Sequence, residues 1–188
     1  MHKFRLSHIL LCGLLSFPLL LPMTAAQDQA AAMRTLPAPY QKWLDEDVRY
    51  LVNDAERAAF ATLTTDQQRD KFVEQFWERR NPNPGSGKNI FKEEHYRRLA
   101  YVNQHFAESV PGFETDRGRI YILYGPPDER EQHPEVSGSA PSDAWRYHFI
   151  EGIGRDVVFE FVDSCRCGKF LLQNDPAQKR PQSQNGEV

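Results

Sequence analysis

Glu94 and His95 stand side by side in a charged stretch, with Arg97 and Arg98 just beyond them. A carboxylate beside an imidazole can orient or share a proton. These two, with Asp116 and Asp128 further along, are the set from which an acid/histidine hydrolase or lyase would be built. Arg79 and Arg80, and later Arg117 and Arg119, are candidates of another kind, because a planar guanidinium suits an anion or a partner's carboxylate. Thr115 and Asp116 precede Arg117, and both can hydrogen-bond neighbouring amides and fix a turn. The candidate binding set is therefore Arg79, Arg80, Glu94, His95, Arg98, Thr115, Asp116, Arg117 and Arg119.

The spacing excludes several chemistries. No His-Glu-x-x-His pair is present, no Gly-x-Ser-x-Gly elbow and no phosphate loop. Glu94 and His95 lack the further ligands that a metal site requires. Gly152-Ile153-Gly154 is too short for a dinucleotide loop, so nothing calls for a cofactor. Cys165 and Cys167 form an even pair once Cys12 is set aside. They can close a small disulfide ring, remain as two thiols, or serve as half of a soft-metal site, two cysteines being too few for tetrahedral zinc.

The N-terminus bears on the compartment. Residues 1–26 have a basic start at Lys3 and Arg5, an apolar run from Leu6 to Leu21 and small residues at Thr24-Ala25-Ala26. These are the three parts of a secretory signal peptide. Pro18, Pro22 and the short run argue against a spanning helix. The expectation is an exported protein, periplasmic or secreted, touching membrane only through an uncleaved signal peptide. The formal charge of the whole chain is −3, and residues 1–26 contain bases but no acids. That balance gives no electrostatic reason to expect nucleic acid as a partner. The expected partner is another envelope or secreted protein.

The elements that must position these residues read in order. Residues 27–39 read as a linker, 40–173 as a single folded unit and 174–188 as a disordered tail. Val48, Leu51, Val52, Ala55, Ala59 and Leu63 make one helical face, or Asn53-Asp54 caps a helix starting there. Thr64-Thr65-Asp66 starts a helix carrying Phe72, Val73, Phe76 and Trp77, and it stops before the prolines at 82 and 84. Asn89 caps another, with Phe91, His95, Leu99, Val102 and Phe106 on one stripe. Pro111-Gly112 breaks it. Arg119–Tyr124, apolar on both faces, reads as a covered strand. Residues 130–144 read as a surface loop. Trp145, Tyr147 and Phe149, then Val157, Phe159 and Phe161, alternate as strands, and Phe170 and Leu172 belong to a last short one. With Arg119–Tyr124 as the fourth strand, the expectation is an α+β domain, N-terminal helices packed on a C-terminal antiparallel sheet of about four strands.

Trp43, Glu46-Asp47-Val48-Arg49-Tyr50, Phe76-Trp77-Glu78-Arg79-Arg80-Asn81-Pro82, Glu94-His95-Tyr96-Arg97-Arg98 and Gly112-Phe113-Glu114-Thr115-Asp116-Arg117-Gly118 come in that order. Together they resemble the GWxTD-domain family of exported bacterial proteins, over about residues 40–175. Phe113 stands where the family's name has tryptophan. Packing tolerates that change, whereas a role for an indole N–H does not. The resemblance implies the fold and export and supplies no mechanism. The strand followed by Gly125-Pro126-Pro127, and Trp145-Arg146-Tyr147, invite a fold-level analogy with small envelope-assembly lipoproteins. The functional expectation is an exported, non-catalytic binding or envelope-assembly module, with the acid/histidine hydrolase or lyase as the alternative.

Overall fold

The computed structural model describes residues 36–136 and 138–177. The signal-peptide reading, most of the linker and most of the tail fall outside the described residues. Residues 36–39 and 174–177 do fall within them.

The helical half begins at α1 (Ala38–Lys42), which widens into a π turn over Trp43–Asp47. Helix α2 (Asp54–Ala61) starts where its sequence supplies a reciprocal cap. Asn53 accepts from the Glu56 amide, and Glu56 accepts from the Asn53 amide. This satisfies two N–H groups that a helix start otherwise leaves free. Of the two readings of residues 48–63, the Asn53 cap is therefore the one adopted. Thr65 and Gln68 repeat the device at α3 (Asp66–Glu78). Asn89 caps α4 (Ile90–His105) through the Lys92 amide. Its side-chain amide also donates to the Trp77 carbonyl at 2.7 Å and ties the start of α4 to the end of α3.

After α4 a short 3-10 turn at Gly112–Glu114 leads into α5 (Asp116–Tyr124). This overturns the strand expected over Arg119–Tyr124. Ile120, Tyr121 and Ile122 are all buried, so the run is apolar on every side, and such a run fits a short buried helix as well as a covered strand. Thr115 decides between them. Its hydroxyl accepts from the Gly118 amide at 3.0 Å and donates to the Gly112 carbonyl at 2.8 Å, which starts a helix. Gly125, with φ of 84°, ends it.

The sheet is a four-stranded antiparallel meander in the order β1 (Glu129–His133), β2 (Ser142–Ile150), β3 (Gly154–Val162) and β4 (Leu171–Leu172). Residues 130–133 of the first strand and 142–144 of the second lie within the segment expected to be a loop. The first strand has no apolar alternation because it is an exposed edge strand, and charge suits such an edge. The fold is α+β as expected, with the fourth strand supplied by Glu129–His133.

Two apolar cores meet along α4. One gathers Trp43, Leu44, Val48, Phe60, Phe76 and Trp77 from the first helices. The other gathers Leu99, Val102 and Phe106 with Ile120–Ile122 and the inward residues Trp145, Tyr147, Phe159 and Phe161 of the sheet. Tyr96 packs against both.

Candidate functional site

The residues singled out by their chemistry do not form one cluster. Arg79 and Arg80 converge on Glu56. Arg80 holds both carboxylate oxygens, at 2.9 and 2.8 Å, donates to the Leu51 and Phe76 carbonyls and lies 3.7 Å over the Phe76 ring. Arg79 adds a further bond at 3.0 Å. Burial opposes ionisation of Glu56, but the hydrogen bonds from Arg80, Arg79 and the Asn53 amide outweigh it and hold the carboxyl down at about 2. This pair of arginines joins α2 to α3.

Glu94 receives Arg97 and Arg98 from its own helix. Burial opposes its charge, and the bonds from Arg98 and then Arg97 override that and lower its pKa. Arg98 also donates to the Ile122 carbonyl at 3.2 Å and covers Gly125, so it caps the end of α5. His95 turns its Nε2 to the Asp47 carbonyl oxygen, which makes Nε2 the protonated nitrogen of the neutral ring. Burial lowers its pKa, while the Asp47 carbonyl and carboxylate favour the cation. A cavity of about 70 Å³ lies beside it, lined by Leu51, Phe91, Glu94, Arg98, Ile122 and Leu123.

Asp116 accepts from the Leu172 amide at 2.8 Å, so it links α5 to β4, and Thr115 alone caps α5. Arg119 lies 3.9 Å from Asp116 and 3.3 Å from Asp175. Asp128 accepts from the His148 amide. Among the described residues no hydrogen bond or ion pair joins any two of Glu94, His95, Asp116 and Asp128.

Arg117 lies in a network that the sequence reading missed. It donates to Glu108 at 2.9 Å, stands 3.6 Å from Asp143 and stacks 4.0 Å over Phe170. Asp143 is fully buried. It takes both Arg130 nitrogens, at 2.8 and 2.6 Å, and the Trp145 indole N–H at 2.9 Å. Glu108 accepts the Phe170 amide as well. The signal for Asp143 was its place two residues before Trp145, on the inward side of β2. Arg130 and Glu108 had no such signal.

The turn Gly112–Asp116 is built by close approach. A Cβ on Gly112 would lie 1.9 Å from the Val102 carbonyl oxygen, and one on Gly118 would lie 1.8 Å from that of Gly112. Only glycine lets α4, the turn and α5 meet backbone to backbone. The Phe113 amide donates to Asn103 at 3.0 Å, and its carbonyl accepts the Tyr50 hydroxyl at 2.9 Å. A family model for the GWxTD domain matches residues 32–176, which include this turn, the helices and the sheet. The chain belongs to the GWxTD-domain family. No curated protein and no solved structure matches it at a significant level. No helix among the described residues is long and apolar enough to cross a membrane.

Beside the GWxTD turn lies an open hollow of about 420 Å³, walled by Asp45, Glu46, Arg49, Asn103 and the segment Pro111–Glu114. Arg49 faces Glu114 across it at 3.5 Å. The side chains of Asp45, Glu46, Arg49 and Glu114 keep 38% to 56% of their surface exposed. The hollow is roomier than the cavity beside His95, and each of its three carboxylates has a cation beside it: Asp45 has Arg57 at 3.3 Å, Glu46 has Lys42 at 3.5 Å and Glu114 has Arg49 at 3.5 Å. These pairs are exposed and weak, so a partner's amine or guanidinium group can compete for their carboxylates, with the Asn103 side chain as a neutral hydrogen-bonding neighbour.

The two cysteines are joined as a disulfide, Cys165–Cys167, in the loop between β3 and β4. Of the three possibilities open in the sequence, the closed ring is the one formed.

Proposed function

We propose that this GWxTD-domain chain is an exported, non-catalytic binding module, secreted or working in envelope assembly. Its working surface is the hollow beside Gly112–Glu114, and its partner is another exported protein that presents a basic side chain. One observation carries the reading. Arg79, Arg80, Arg98, Asp116 and Arg117 are held in bonds between elements, and Glu94 is held by two arginines of its own helix. The carboxylates of the hollow carry only solvent-exposed ion pairs, which are weak and open to exchange, around space large enough for a side chain. Interfaces of this kind gain specificity and association rate from charge complementarity.

Export draws its support from the three-part pattern of residues 1–26 and from the disulfide, a bond that persists in oxidising compartments. Mass spectrometry of the chain expressed with its full N-terminus is expected to find the mature product beginning near Gln27. A product that retains Met1 contradicts export by a cleaved signal.

The binding surface is tested by placing a photo-crosslinking amino acid at Glu46 or Glu114, with Glu160 on the exposed outer side of β3 as comparison. The expected result is the same discrete adduct from both positions in the hollow and none from Glu160. Equal labelling from all three positions, or no adduct from the hollow, contradicts the proposal.

A further inference from the structure

Ser164–Lys169 form an exposed loop whose closing bond is Cys165–Cys167. A buried carboxylate lies directly beneath it. Asp163 is 3% exposed and accepts the Cys167 amide at 3.1 Å and the Gly168 amide at 2.7 Å. The Asp163 oxygen that takes the Cys167 amide also lies 3.1 Å from the Cys165 sulfur. The ligand atoms of Asp163, Cys165 and Cys167 all lie within 4.8 Å of one another, and both cysteines are exposed. Arg166 lies between the two cysteines and Lys169 follows Cys167 by two residues, and Arg166, with φ of 56°, pairs with Glu135 at 2.7 Å.

These facts distinguish the two sulfurs. A thiolate on Cys165 would face the Asp163 carboxylate, so Cys165 favours its protonated form and can donate S–H to that oxygen. Arg166 adjoins both cysteines, so the distinction rests on the Asp163 oxygen, which is at contact distance from the Cys165 sulfur at 3.1 Å, while the Cys167 side meets Asp163 through its backbone amide. The bond encloses a single intervening residue, so it removes little loop entropy from the open chain, and its exposure gives a thiol access.

We infer that Cys165–Cys167 is a thiol–disulfide exchange site that passes its disulfide to a dithiol of a partner protein. One partner thiolate, its proton lost to solvent, attacks the Cys165 sulfur, so that Cys167, whose thiolate has no carboxylate at contact distance, is the leaving group. A bond forms between the partner's sulfur and Cys165, the Cys165–Cys167 bond breaks, and Cys167 leaves with the electron pair and takes a proton from solvent. The partner's second thiolate, its proton lost to solvent, then attacks the first partner sulfur. The partner's disulfide forms, and Cys165 leaves with its electron pair, takes a proton from solvent and donates the resulting S–H to Asp163. Two electrons and two protons have moved from the partner's dithiol to this chain.

The loop is held by more than its disulfide. The Asp163 amide donates to the Pro141 carbonyl, the Phe170 amide to Glu108 and the Leu172 amide to Asp116. The dithiol form therefore keeps β4 in place. This inference is independent of the hollow and concerns a different part of the chain.

The test uses the mature chain with dithiothreitol as the model dithiol and oxidised glutathione as the trapping disulfide. Dithiothreitol is expected to reduce the pair in the native protein, with thiol labelling at both cysteines and an unchanged near-ultraviolet circular dichroism spectrum. With Cys165→Ser, the remaining Cys167 is expected to form a mixed disulfide with glutathione about tenfold faster than Cys165 does in Cys167→Ser. Both single variants leave the carboxylate in place, so the ratio reads the difference between the two sulfurs. A pair that is reduced only after denaturation, a loss of the native spectrum on reduction, or equal rates in the two variants overturns the inference.

Discussion

Thr115 and Asp116 are neighbours in one motif and perform different work. The Thr115 hydroxyl bonds twice, to the Gly118 amide and to the Gly112 carbonyl, at a site that is 5% exposed. Thr115→Val keeps the shape and removes both bonds, so equilibrium urea unfolding is expected to show a loss of about 2 kcal/mol. A change within error would mean that the cap does not hold the turn. Glu56 gives a prediction in pH. Its folded pKa lies at about 2 against an ordinary value of 4.5. The unfolded chain therefore binds the proton first, and the stability Glu56 contributes is complete above about 4.5 and is lost as pH falls towards 2. Glu56→Gln is expected to flatten stability against pH in that window, relative to the parent, in urea titrations at each pH. At this scale the start at Thr64-Thr65-Asp66 and the cap at Asn89 were legible, because polar residues before a helical stripe have one strong local use, whereas the Asn53 cap stood as one of two readings because an apolar stripe runs on both sides of it. The bond from Arg117 to Glu108 was not legible, because Glu108 carries no local pattern and meets Arg117 only through the fold.

The error over Arg119–Tyr124 belongs to the scale of elements. A short run buried on all sides has no period to read, and the deciding signals lay in Thr115 before it and Gly125 after it. The strand Glu129–His133 was hidden for the opposite reason, since an exposed edge has no apolar face. The alternation in β2 and β3 was legible because each has one face on the core. How the elements meet makes the turn sensitive to small additions. Gly118→Ala places a Cβ 1.8 Å from the Gly112 carbonyl oxygen, which no side-chain movement relieves. Denaturant unfolding is expected to lose about 3 kcal/mol, the upper part of the range for overpacking. Loss of less than about 1 kcal/mol would mean that α4, the turn and α5 are not locked by backbone approach. Arg117→Met tests the network that fastens α5 to β2 and the β3–β4 loop. It leaves Glu108 and Asp143 short of a cation, so a loss of about 3 kcal/mol is expected. Glu108→Gln added to it is expected to cost less than on the parent, because the two groups act together.

For the molecule as a whole, α4 joins two cores, with His95 reaching back to Asp47 and Arg98 reaching on to the end of α5. Most of the charged residues that drew attention in the sequence, Arg79, Arg80, Arg98, Asp116 and Arg117 among them, are fastenings of this assembly and bond across its joints. The hollow arises where the π turn, α4 and the Gly112–Glu114 turn come together. None of those pieces marks it alone, so it was not legible in the sequence, although Pro111-Gly112 was read as the break that ends α4. The most direct test of the account is an NMR titration of the ¹⁵N-labelled mature chain with a blocked Gly-Arg-Gly peptide, repeated on Glu114→Lys. The account predicts saturable shifts concentrated at the amides of Asp45, Glu46, Asn103, Phe113 and Glu114, and an apparent Kd at least about tenfold weaker in the variant, as expected when one interfacial charge is reversed. Shifts scattered over the surface, or unchanged by Glu114→Lys, would contradict it.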